Sequence, residues 1–323
     1  MRSTIPRILS RAAATAVVVA LTACGGPQPP QTAVEKPDAA FPNTVEVEGK
    51  QVTVDAKPQR IALLSPDVTA LTVELVDAER IAVASEIPGR TGTALKAAQV
   101  ENQLSGPTSL DPEQVLSHDP DLVMVTDRHD QEADVVPILE QAGVPVAVFH
   151  TTSWSSIDDV LDQLETIGEL TGEQDAAASL RAEKEQQRGT ALEGVDSSAE
   201  SPRVLAMMSP GQNPLILGES SLVNSLVTDA GAVSINAEMG VRGSLPADPE
   251  KIIEADPDVI VVQDVRGKGR ERFGSLLGNP ALAKVPAIKD ERVLYISNTL
   301  VGVSSGLASV DGLEQLVEEL HTS

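Results

Sequence analysis

A block of helix-like and strand-like segments occurs twice along the chain. Residues 110–127 read LDPEQVLSHDPDLVMVTD, and residues 247–264 read ADPEKIIEADPDVIVVQD. At a constant offset of 137, eight of the eighteen positions are identical, including both acid-proline pairs. The repeat indicates that one structural unit has been duplicated.

Each copy of the block predicts a helix followed by a buried strand. Asp111 and Asp248 suit the helix N-cap, with proline at the first helical position. Each helix should end before the next Asp-Pro, because the residue before a proline disfavours the helical conformation. The apolar runs that follow, Leu122–Val125 and Val259–Val262, have the length of strands. Continuous apolar strands are typical of parallel sheets covered on both faces, so the predicted fold class is α/β.

A second pair of similar segments supports two lobes of one design. RIALLSP at 60–66 and RVLAMMSP at 203–210 each predict a short strand that precedes a helix. Those helices are predicted over Val68–Leu75 and Ser221–Ala230. Ligands meet parallel α/β sheets at the carboxyl ends of the strands. Two lobes that face each other would place these ends around one shared cleft.

The segment between the lobes has the pattern of an amphipathic helix, with apolar residues three and four apart at Ile157, Val160, Leu161, Leu164 and Ile167. Good helix formers dominate the residues that follow, but Gly168 and Gly172 leave open whether the helix is continuous. We therefore expect an N-terminal lobe over 45–153, a long interdomain helix over 154–193 and a C-terminal lobe over 194–323.

Composition narrows the range of partners. The 323 residues carry a formal net charge of −24, and only 2% of them are aromatic. Nucleic acid is excluded as a partner because phosphate binding needs a basic face. The single cysteine excludes a disulfide within the chain and a zinc site built from several cysteines.

The N-terminus has the features of an export signal. Residues 1–23 contain three arginines, no acid and an apolar stretch too short to span a membrane. The sequence LTACG around Cys24 resembles the lipobox of bacterial lipoproteins, in which the cysteine is lipidated and becomes the mature N-terminus. We expect a signal peptide over 1–23, a lipid anchor at Cys24 and a flexible tether over 24–44. The alternative is an ordinary signal peptide with an incidental cysteine.

Several segments in a fixed order resemble one known family. They are Arg60–Leu75, the two repeated blocks, Ala142–Phe149 and Pro286–Tyr295. With the lipobox, they are similar to the class III solute-binding proteins of ABC importers, which carry ferric siderophores, haem or cobalamin. The resemblance covers about residues 45–323 and implies two lobes bridged by a long helix, with a ligand cleft between them. It also implies a permease dimer as partner, and we expect a monomer on the outer face of the cell membrane.

The loops after the predicted strands supply the candidate ligand contacts. We expect Arg242 and Arg266 to hold an anionic ligand, because a guanidinium group forms paired hydrogen bonds to carboxylate-like oxygens. Lys268 and Arg270 either join this cationic group or form a solvated basic loop. The other candidates for ligand contact are His129, His150, Trp154, Ser65, Met208 and Asn298.

Several of these candidates have a structural alternative. Either histidine could coordinate a haem iron or accept a proton from a ligand, but a histidine at a strand end often only hydrogen-bonds a loop. Trp154 could stack on a flat ligand or pack at the start of a helix. Core packing is the default expectation for Met208, and ligand contact is the second.

The expected ligand follows from what the chain lacks. The haem-binding branch of the family often carries a tyrosine in a Gly-Tyr-x-Pro segment, whereas this chain has RGSLP at 242–246 and its only tyrosine at Tyr295. Scarce aromatics also disfavour haem and cobalamin, which bind well to stacked rings. An Fe(III)-siderophore is therefore the first expectation, and haem or cobalamin is the alternative. His129, His150, Asp127 and Asp264 could hold free zinc or manganese, but their spacing forms no recognised motif.

Other functional classes find less support in the sequence. No serine lies in a Gly-x-Ser-x-Gly elbow and no Walker-type phosphate loop is present, so we do not expect an enzyme. Asp127 and Asp264 could mimic paired catalytic carboxylates, but the duplication already explains the pair. A cell-surface adhesion protein without a tight ligand is a further alternative.

Two surface carboxylates are candidates for contact with the permease. In the resembled family, one acidic residue on each lobe often meets a permease arginine. Glu74 and Glu219 are the possible equivalents in this sequence, and the alternative is that both are plain surface charges.

Overall fold

Strands and helices alternate in two successive sets along the chain. The computed structural model describes residues 41–86, 103–104, 110–195 and 200–321, which belong to one compact unit. The first set forms the N-terminal lobe, and a pair of helices connects it to the second set.

The N-terminal lobe opens with a β-hairpin. Strand β1 (Asn43–Val47) pairs antiparallel with β2 (Lys50–Val54). Its two-residue turn, Glu48-Gly49, has positive φ angles of 50° and 79°, as the turns that match strand twist require. The lobe continues with β3 (Ile61–Leu63), α1 (Pro66–Leu75), β4 (Ile81–Ser85), β5 (Gln103–Leu104), α2 (Pro112–Leu116), β6 (Leu122–Thr126), α3 (Asp130–Gln141) and β7 (Val146–Phe149).

The main N-terminal sheet is wholly parallel. Its strand order is β5-β4-β3-β6-β7. All five residues of β6 are buried, as its uninterrupted apolar run predicted. The helix before it begins as predicted, because the Asp111 carboxylate accepts a hydrogen bond from the amide of Glu113 at 2.9 Å.

The segment between the lobes contains two helices rather than one. These are α4 (Ile157–Thr171) and α5 (Gln174–Leu192). Gly172 ends α4 in the left-handed region, with φ at 75°. Arg181 and Arg188 of α5 bond to Asp162 and Asp158 of α4, so the two helices run antiparallel. The sequence left open whether the linking segment over 154–193 is one continuous helix; in the structure it is two helices, of which α5 is the longer.

The C-terminal lobe repeats the architecture of the first. Its central strand β8 follows α5 after a short connection. The lobe consists of β8 (Arg203–Met208), β9 (Leu215–Ile216), α6 (Leu222–Asp229), β10 (Val233–Ser234), α7 (Ile235–Glu238), β11 (Leu245–Pro246), α8 (Pro249–Ala255), β12 (Val259–Asp264), α9 (Gly269–Leu277), α10 (Pro286–Lys289), β13 (Val293–Ser297), α11 (Asn298–Val301) and α12 (Ser309–His321).

The two main sheets share the topology that the sequence repeat predicted. In the second sheet β12 lies between β8 and β13, and all three are parallel. In the first sheet β6 lies between β3 and β7 in the same way. An antiparallel pair, β9 and β11, extends the edge of the second sheet beside β8. The two lobes therefore repeat each other in structure as well as in amino-acid sequence.

One hydrophobic cluster runs through both lobes. It includes Leu71 and Trp154 of the N-terminal lobe together with Val204 and Leu313 of the C-terminal lobe. The lobes meet where the 3-10 turn Val303–Ala308 packs against α1. The lobes are thus joined by a shared core as well as by α5, and such an apolar junction resists independent domain motion.

Candidate functional site

The carboxyl ends of β3, β6 and β7 lie at one edge of the N-terminal sheet because these strands are parallel. Ser65, Asp127 and His150 lie just after the three strands. The amide of Thr126 donates to the Ser65 hydroxyl at 2.9 Å, which joins the ends of β3 and β6. The expected convergence of strand ends is therefore present in this lobe.

Asp127 is the centre of a hydrogen-bonded cluster at this edge. Its carboxylate accepts bonds from the His150 ring Nδ1 at 2.7 Å, the Thr151 amide at 2.7 Å and the Thr151 hydroxyl at 2.8 Å. Partial burial raises the pKa of Asp127, but these bonds outweigh it, so the pKa lies below its usual value. A histidine whose Nδ1 donates to a carboxylate keeps its Nε2 available as an acceptor or metal ligand.

A buried carboxylate joins the two lobes beside this cluster. Asp67, in the first turn of α1, is 1% exposed. It accepts bonds from the guanidinium of Arg128, which follows Asp127 after β6. It also accepts a bond at 2.5 Å from the hydroxyl of Ser304 in the C-terminal lobe. The N-terminal strand end and the C-terminal turn are therefore held by one side chain.

The loop after β12 presents Arg266 at the carboxyl end of the second sheet. Arg266 and Gly267 both adopt left-handed backbone, with φ at 61° and 66°. This conformation costs a non-glycine residue about 1 kcal/mol or more. Asp264 closes the loop by accepting a bond from the Gly269 amide at 2.7 Å. The loop has a defined shape that leaves the Arg266 side chain exposed.

Asn298 lies at the carboxyl end of β13, beside the loop after β12. Its side-chain oxygen accepts a bond from Gln263 Nε2 at 2.5 Å. The side chain is half-buried. Its amide oxygen therefore already has a protein partner. Its predicted role in ligand contact stays a prediction.

Arg242 lies in the loop between α7 and β11. The backbone of this loop packs on the segment after β9, where the Glu219 amide donates to the Val241 carbonyl at 2.6 Å. Both Arg242 and Glu219 are exposed. The structure therefore places the expected ligand contact Arg242 and the expected permease contact Glu219 in neighbouring loops.

Arg242 and Arg266 differ from the other described arginines in having no partner. Within residues 41–86, 103–104, 110–195 and 200–321, neither forms a hydrogen bond, an ion pair or a ring contact. The other arginines of these ranges bond to carboxylates or carbonyls or stack on a ring. Each of these two guanidinium groups is therefore available to an anion, in a chain with a net charge of −24.

The neighbouring cations of the same loop are engaged. The Arg270 guanidinium lies 4.3 Å from the centroid of the Tyr295 ring, and Lys268 pairs with Glu271 at 3.1 Å. Burial raises the pKa of Tyr295; the charge of Arg270 opposes this rise, and Asp264 adds to it. The sequence left open whether Lys268 and Arg270 join the cationic group or form a solvated basic loop. In the structure both side chains already have local protein partners.

The structure corrects the prediction for Ser65. This residue is fully buried, and its hydroxyl accepts the Thr126 amide while contacting the Thr126 hydroxyl at 3.0 Å. It is the N-cap residue of α1, which starts with proline. Ser65 therefore supports the strand ends and has no surface for a ligand.

Trp154 is also corrected. Its side chain is 0% exposed and packs edge-on against Phe149, with ring centroids 6.1 Å apart. The ring belongs to the core at the entry to α4, which is the packing alternative. Stacking on a ligand is therefore wrong for this residue, because no face of the indole is open.

The remaining candidates lie at strand ends or on the surface, and their predicted roles stay predictions. His129 is exposed after β6, and Met208 is half-buried at the end of β8, packed against the shared core. Glu74 is exposed on α1. Cys24, the signal peptide and most of the tether lie outside the described residues.

The described residues offer no cluster suited to a metal ion: no three His, Cys, Asp or Glu side chains among them are arranged to hold one. No helix in the same ranges combines the length and the apolar character needed to cross a membrane.

Comparison with known proteins decides the family. The model of the periplasmic binding protein family matches residues 61–300. A cobalamin-binding protein of Halobacterium salinarum is 31% identical over 305 residues, which cover 90% of this chain and 78% of that protein. The chain belongs to the periplasmic binding protein family. The resemblance expected from the sequence is confirmed.

Solved structures show the same fold in this family. A periplasmic heme-binding protein, RhuT, from Roseiflexus sp. RS-1 matches with a TM-score of 0.68 at 23% identity, covering 82% of this chain and 98% of that one. An ABC-type Fe3+-hydroxamate transport system protein from Saccharomonospora viridis matches with a TM-score of 0.69 at 24% identity, covering 88% and 100%. The two-lobed α/β fold predicted from the sequence is confirmed.

Family membership also settles the broad class of function. Periplasmic binding proteins capture solutes and work with ABC permeases, so this protein is a solute-binding protein and not an enzyme. Asp127 and Asp264 each accept a backbone amide at equivalent strand ends.

Sequence reasoning missed the contacts of Asp67 and Arg128. Arg128 lies inside a loop that the sequence did mark as a strand end, but nothing in its neighbours signals a partner 61 positions away. Asp67 reads from sequence as an ordinary acid in the first turn of a helix. Only the fold brings Ser304 to it from the other lobe.

Proposed function

We propose that this protein is the lipid-anchored substrate-binding component of an ABC importer and that it captures an Fe(III)-siderophore complex. The cargo would bind between the lobes and pass to a permease dimer. The observation that carries the proposal is the pair of exposed, unpaired arginines, Arg242 and Arg266, in a strongly acidic chain. An exposed guanidinium without a protein partner can donate paired hydrogen bonds to an anionic or oxygen-rich ligand.

The chemistry of the pair favours a chelate over a flat ring. Catecholate, hydroxamate and carboxylate oxygens accept forked hydrogen bonds from guanidinium groups. Haem and corrinoids gain much of their affinity from aromatic surfaces. In the described chain Trp154 is buried, and the ring of Tyr295 is covered by Arg270.

Cobalamin is the second candidate cargo. The supporting observation is the cobalamin-binding relative, which is 31% identical over 90% of this chain. Haem is a third candidate, supported by the Nε2 of His150 that the Asp127 contact leaves available. All three ligands are bulky metal complexes, so the proposals share one cleft and differ in the groups that line it.

Isothermal titration of the purified protein with a ferric trihydroxamate, a ferric tricatecholate, haemin and cyanocobalamin tests the cargo. We expect tight binding of a ferric siderophore. Arg242→Ala and Arg266→Ala should each weaken it about 10- to 100-fold, since one charge-assisted hydrogen bond contributes roughly 1.5–3 kcal/mol. Arg203→Ala is the matched control, because this arginine already pairs with Glu238, and its affinity should equal that of the wild type.

Three results would contradict this cargo. Preferred binding of cyanocobalamin or haemin would replace the siderophore by the second or third candidate. Binding of bare metal ions alone would exclude all three. No tight ligand at all would favour the adhesion alternative over transport.

The proposed membrane anchor is tested separately. If Cys24 carries the lipid, the protein from its native host should partition into the detergent phase of Triton X-114. Its N-terminal peptide should then begin at Cys24 with the added mass of acyl chains. Cys24→Ala should abolish both properties, and an unmodified peptide from the wild type would refute the anchor.

The proposed permease contact rests on Glu74 and Glu219, which are exposed on the two lobes. The double variant Glu74→Lys, Glu219→Lys should abolish uptake of the cargo by the cell. The variant protein should still bind the cargo with the affinity of the wild type. Glu254→Lys on α8, also exposed, is the control. Normal uptake by the double variant would remove this idea.

A further inference from the structure

We propose that Asp67 is a positioning residue that holds Arg128 as a ligand-contacting donor of the N-terminal lobe and fixes it to the C-terminal lobe through Ser304. The inference rests on the proposed function for its ligand, and it assigns roles to residues that the sequence did not single out.

The guanidinium of Arg128 is held in one orientation. Its Nε donates to Asp67 Oδ2 at 3.1 Å, and its Nη2 donates to the same oxygen. Among the described residues no acceptor engages the remaining amino group, Nη1. The side chain is 22% exposed and follows the carboxyl end of β6. A donor that is fixed before binding loses little entropy when the ligand arrives.

Asp67 uses its two carboxylate oxygens for different lobes. Oδ2 accepts Arg128 from the N-terminal lobe, and Oδ1 accepts the Ser304 hydroxyl from the C-terminal lobe. The side chain is 1% exposed, and a buried carboxylate is costly unless its partners are well placed. Because one rigid group makes both contacts, a shift of either lobe would alter the position of Arg128.

The surroundings of the junction keep it rigid. The 3-10 turn that carries Ser304 packs on α1, where a Cβ built on Gly306 would lie 3.3 Å from the side chains of Ala70 and Leu71. The glycine thus lets the turn approach the helix more closely than a larger residue would, which leaves little room for the turn to slide along the helix. The distance between Asp67 and Ser304 is therefore set by packing as well as by the hydrogen bond.

The free Nη1 group fits an oxygen-rich ligand. It offers two N–H donors to hydroxamate or catecholate oxygens, which are the acceptors proposed for Arg242 and Arg266. Because Asp67 balances the charge of Arg128, this contact supplies direction more than net attraction. Arg128 would thus select ligands with an acceptor at one position.

Binding of a ferric trihydroxamate to four variants tests the proposal. Arg128→Gln should weaken binding about tenfold, and Asp67→Asn should weaken it by a similar factor. The double variant should bind no more weakly than Arg128→Gln alone, because Asp67 acts through Arg128. Asp121→Asn is the control: Asp121 accepts the amides of Gln59 and Arg60, so its loss should lower Tm and leave affinity unchanged.

Two outcomes of the binding experiment would overturn the inference. One is an unchanged affinity in Arg128→Gln. The other is a double variant whose loss equals the product of the two single losses, since independent effects would mean that Asp67 does not act through Arg128.

A measurement without ligand separates this inference from the proposed function. In Ser304→Ala, amide hydrogen exchange around Arg128 in the other lobe should accelerate several-fold, because the junction has lost one of its bonds. If the wild type binds none of the chelates, the proposed function fails. The exchange measurement still shows whether Ser304 couples the C-terminal lobe to Arg128. Unchanged exchange at residues 126–130 in Ser304→Ala would refute the tie between the lobes.

Discussion

Asp119 and Asp256 hold equivalent places in the two repeats, and both adopt left-handed backbone, with φ at 46° and 44°. Aspartate tolerates this region better than most residues because its short side chain can bond locally. Each is followed by a proline, which cannot continue a helix. The same pair of residues therefore ends a helix and redirects the chain into a central strand in both lobes.

The hydrogen bonds to Asp127 predict a pH dependence of stability. Although partial burial raises its pKa, the bonds from Thr151 and His150 dominate, so the folded-state pKa lies below the ordinary 3.8. A lowered pKa means that the carboxylate stabilises the fold above about pH 4 and that this contribution disappears as the pH falls through the folded-state value. We expect Asp127→Asn to be less stable at neutral pH and to lose less stability on acidification.

Urea unfolding of Asp127→Asn between about pH 2 and pH 7 measures this effect. Asp55→Asn serves as control, because Asp55 is exposed and has no partner among the described residues. If the difference in unfolding free energy between Asp127→Asn and the wild type stays constant across this pH range, the prediction is contradicted.

The helices between the lobes owe their arrangement to two glycines. Gly172 provides the left-handed end of α4, and at Gly168 a Cβ would lie only 2.6 Å from the Cβ of Ala177. The missing side chain lets α4 and α5 approach closely as antiparallel neighbours. The sequence marked both glycines as possible interruptions, but the direction of the second helix depends on packing.

Arg188 of α5 ties three helices together. It donates to Asp158 of α4 at 2.6 Å and to Asp229 of α6 at 2.9 Å. Burial raises the pKa of Asp229, Arg188 opposes this rise, and Asp158 adds to it. We expect Arg188→Met to cost roughly 2 kcal/mol at neutral pH, between the values typical of exposed and buried ion pairs.

Chemical denaturation at neutral and acidic pH checks the role of Arg188. The cost should shrink as the pH falls towards about 4, because the raised pKa of Asp229 lets this carboxyl bind its proton above the ordinary pKa, and the group destabilises the fold only while it is charged. Arg181→Met is the matched control: its partners Asp162, Glu165 and Glu185 are exposed, so about 0.5 kcal/mol is expected. An equal loss of unfolding free energy in Arg188→Met and Arg181→Met would contradict the role given to Arg188.

At the scale of the whole molecule, the shared core makes the two lobes one folding unit. One apolar cluster contains strands and helices of both lobes, and each lobe also has a smaller cluster of its own, so part of the apolar surface of each lobe is buried against the other. We expect differential scanning calorimetry to show a single transition, with calorimetric and van't Hoff enthalpies that agree. Two separate transitions would mean that the lobes unfold independently in spite of the shared cluster.

A glycine pair tests the junction within that unit. Gly306 and Gly143 both have positive φ, at 56° and 84°, but only at Gly306 would a Cβ meet the other lobe. Alanine at Gly143 carries a backbone cost of about 1 kcal/mol, and the cost is larger at Gly306, where ψ is −135° and the backbone lies near a region essentially confined to glycine. Gly306→Ala should therefore lower Tm by several degrees more than Gly143→Ala does. Equal shifts in Tm would show that neither the backbone conformation of Gly306 nor its contact with Ala70 and Leu71 contributes to stability.

The sequence by itself determined the local elements and the duplication. The caps Asp111 and Asp248 and the apolar runs of β6 and β12 act through neighbours in the chain, so their effects are visible in the pattern. It also placed Arg242 and Arg266 in loops, where exposure is the ordinary expectation.

The tertiary structure decided which of these residues are available to a ligand. Trp154 and Ser65 have the types and positions of ligand contacts, yet the core and the strand ends enclose them. Asp67, Arg128 and Ser304 are distant in sequence: Ser304 lies 237 positions after Asp67. Burial and long-range pairing depend on how sheets and helices pack together, and that arrangement is a property of the whole fold rather than of any local pattern.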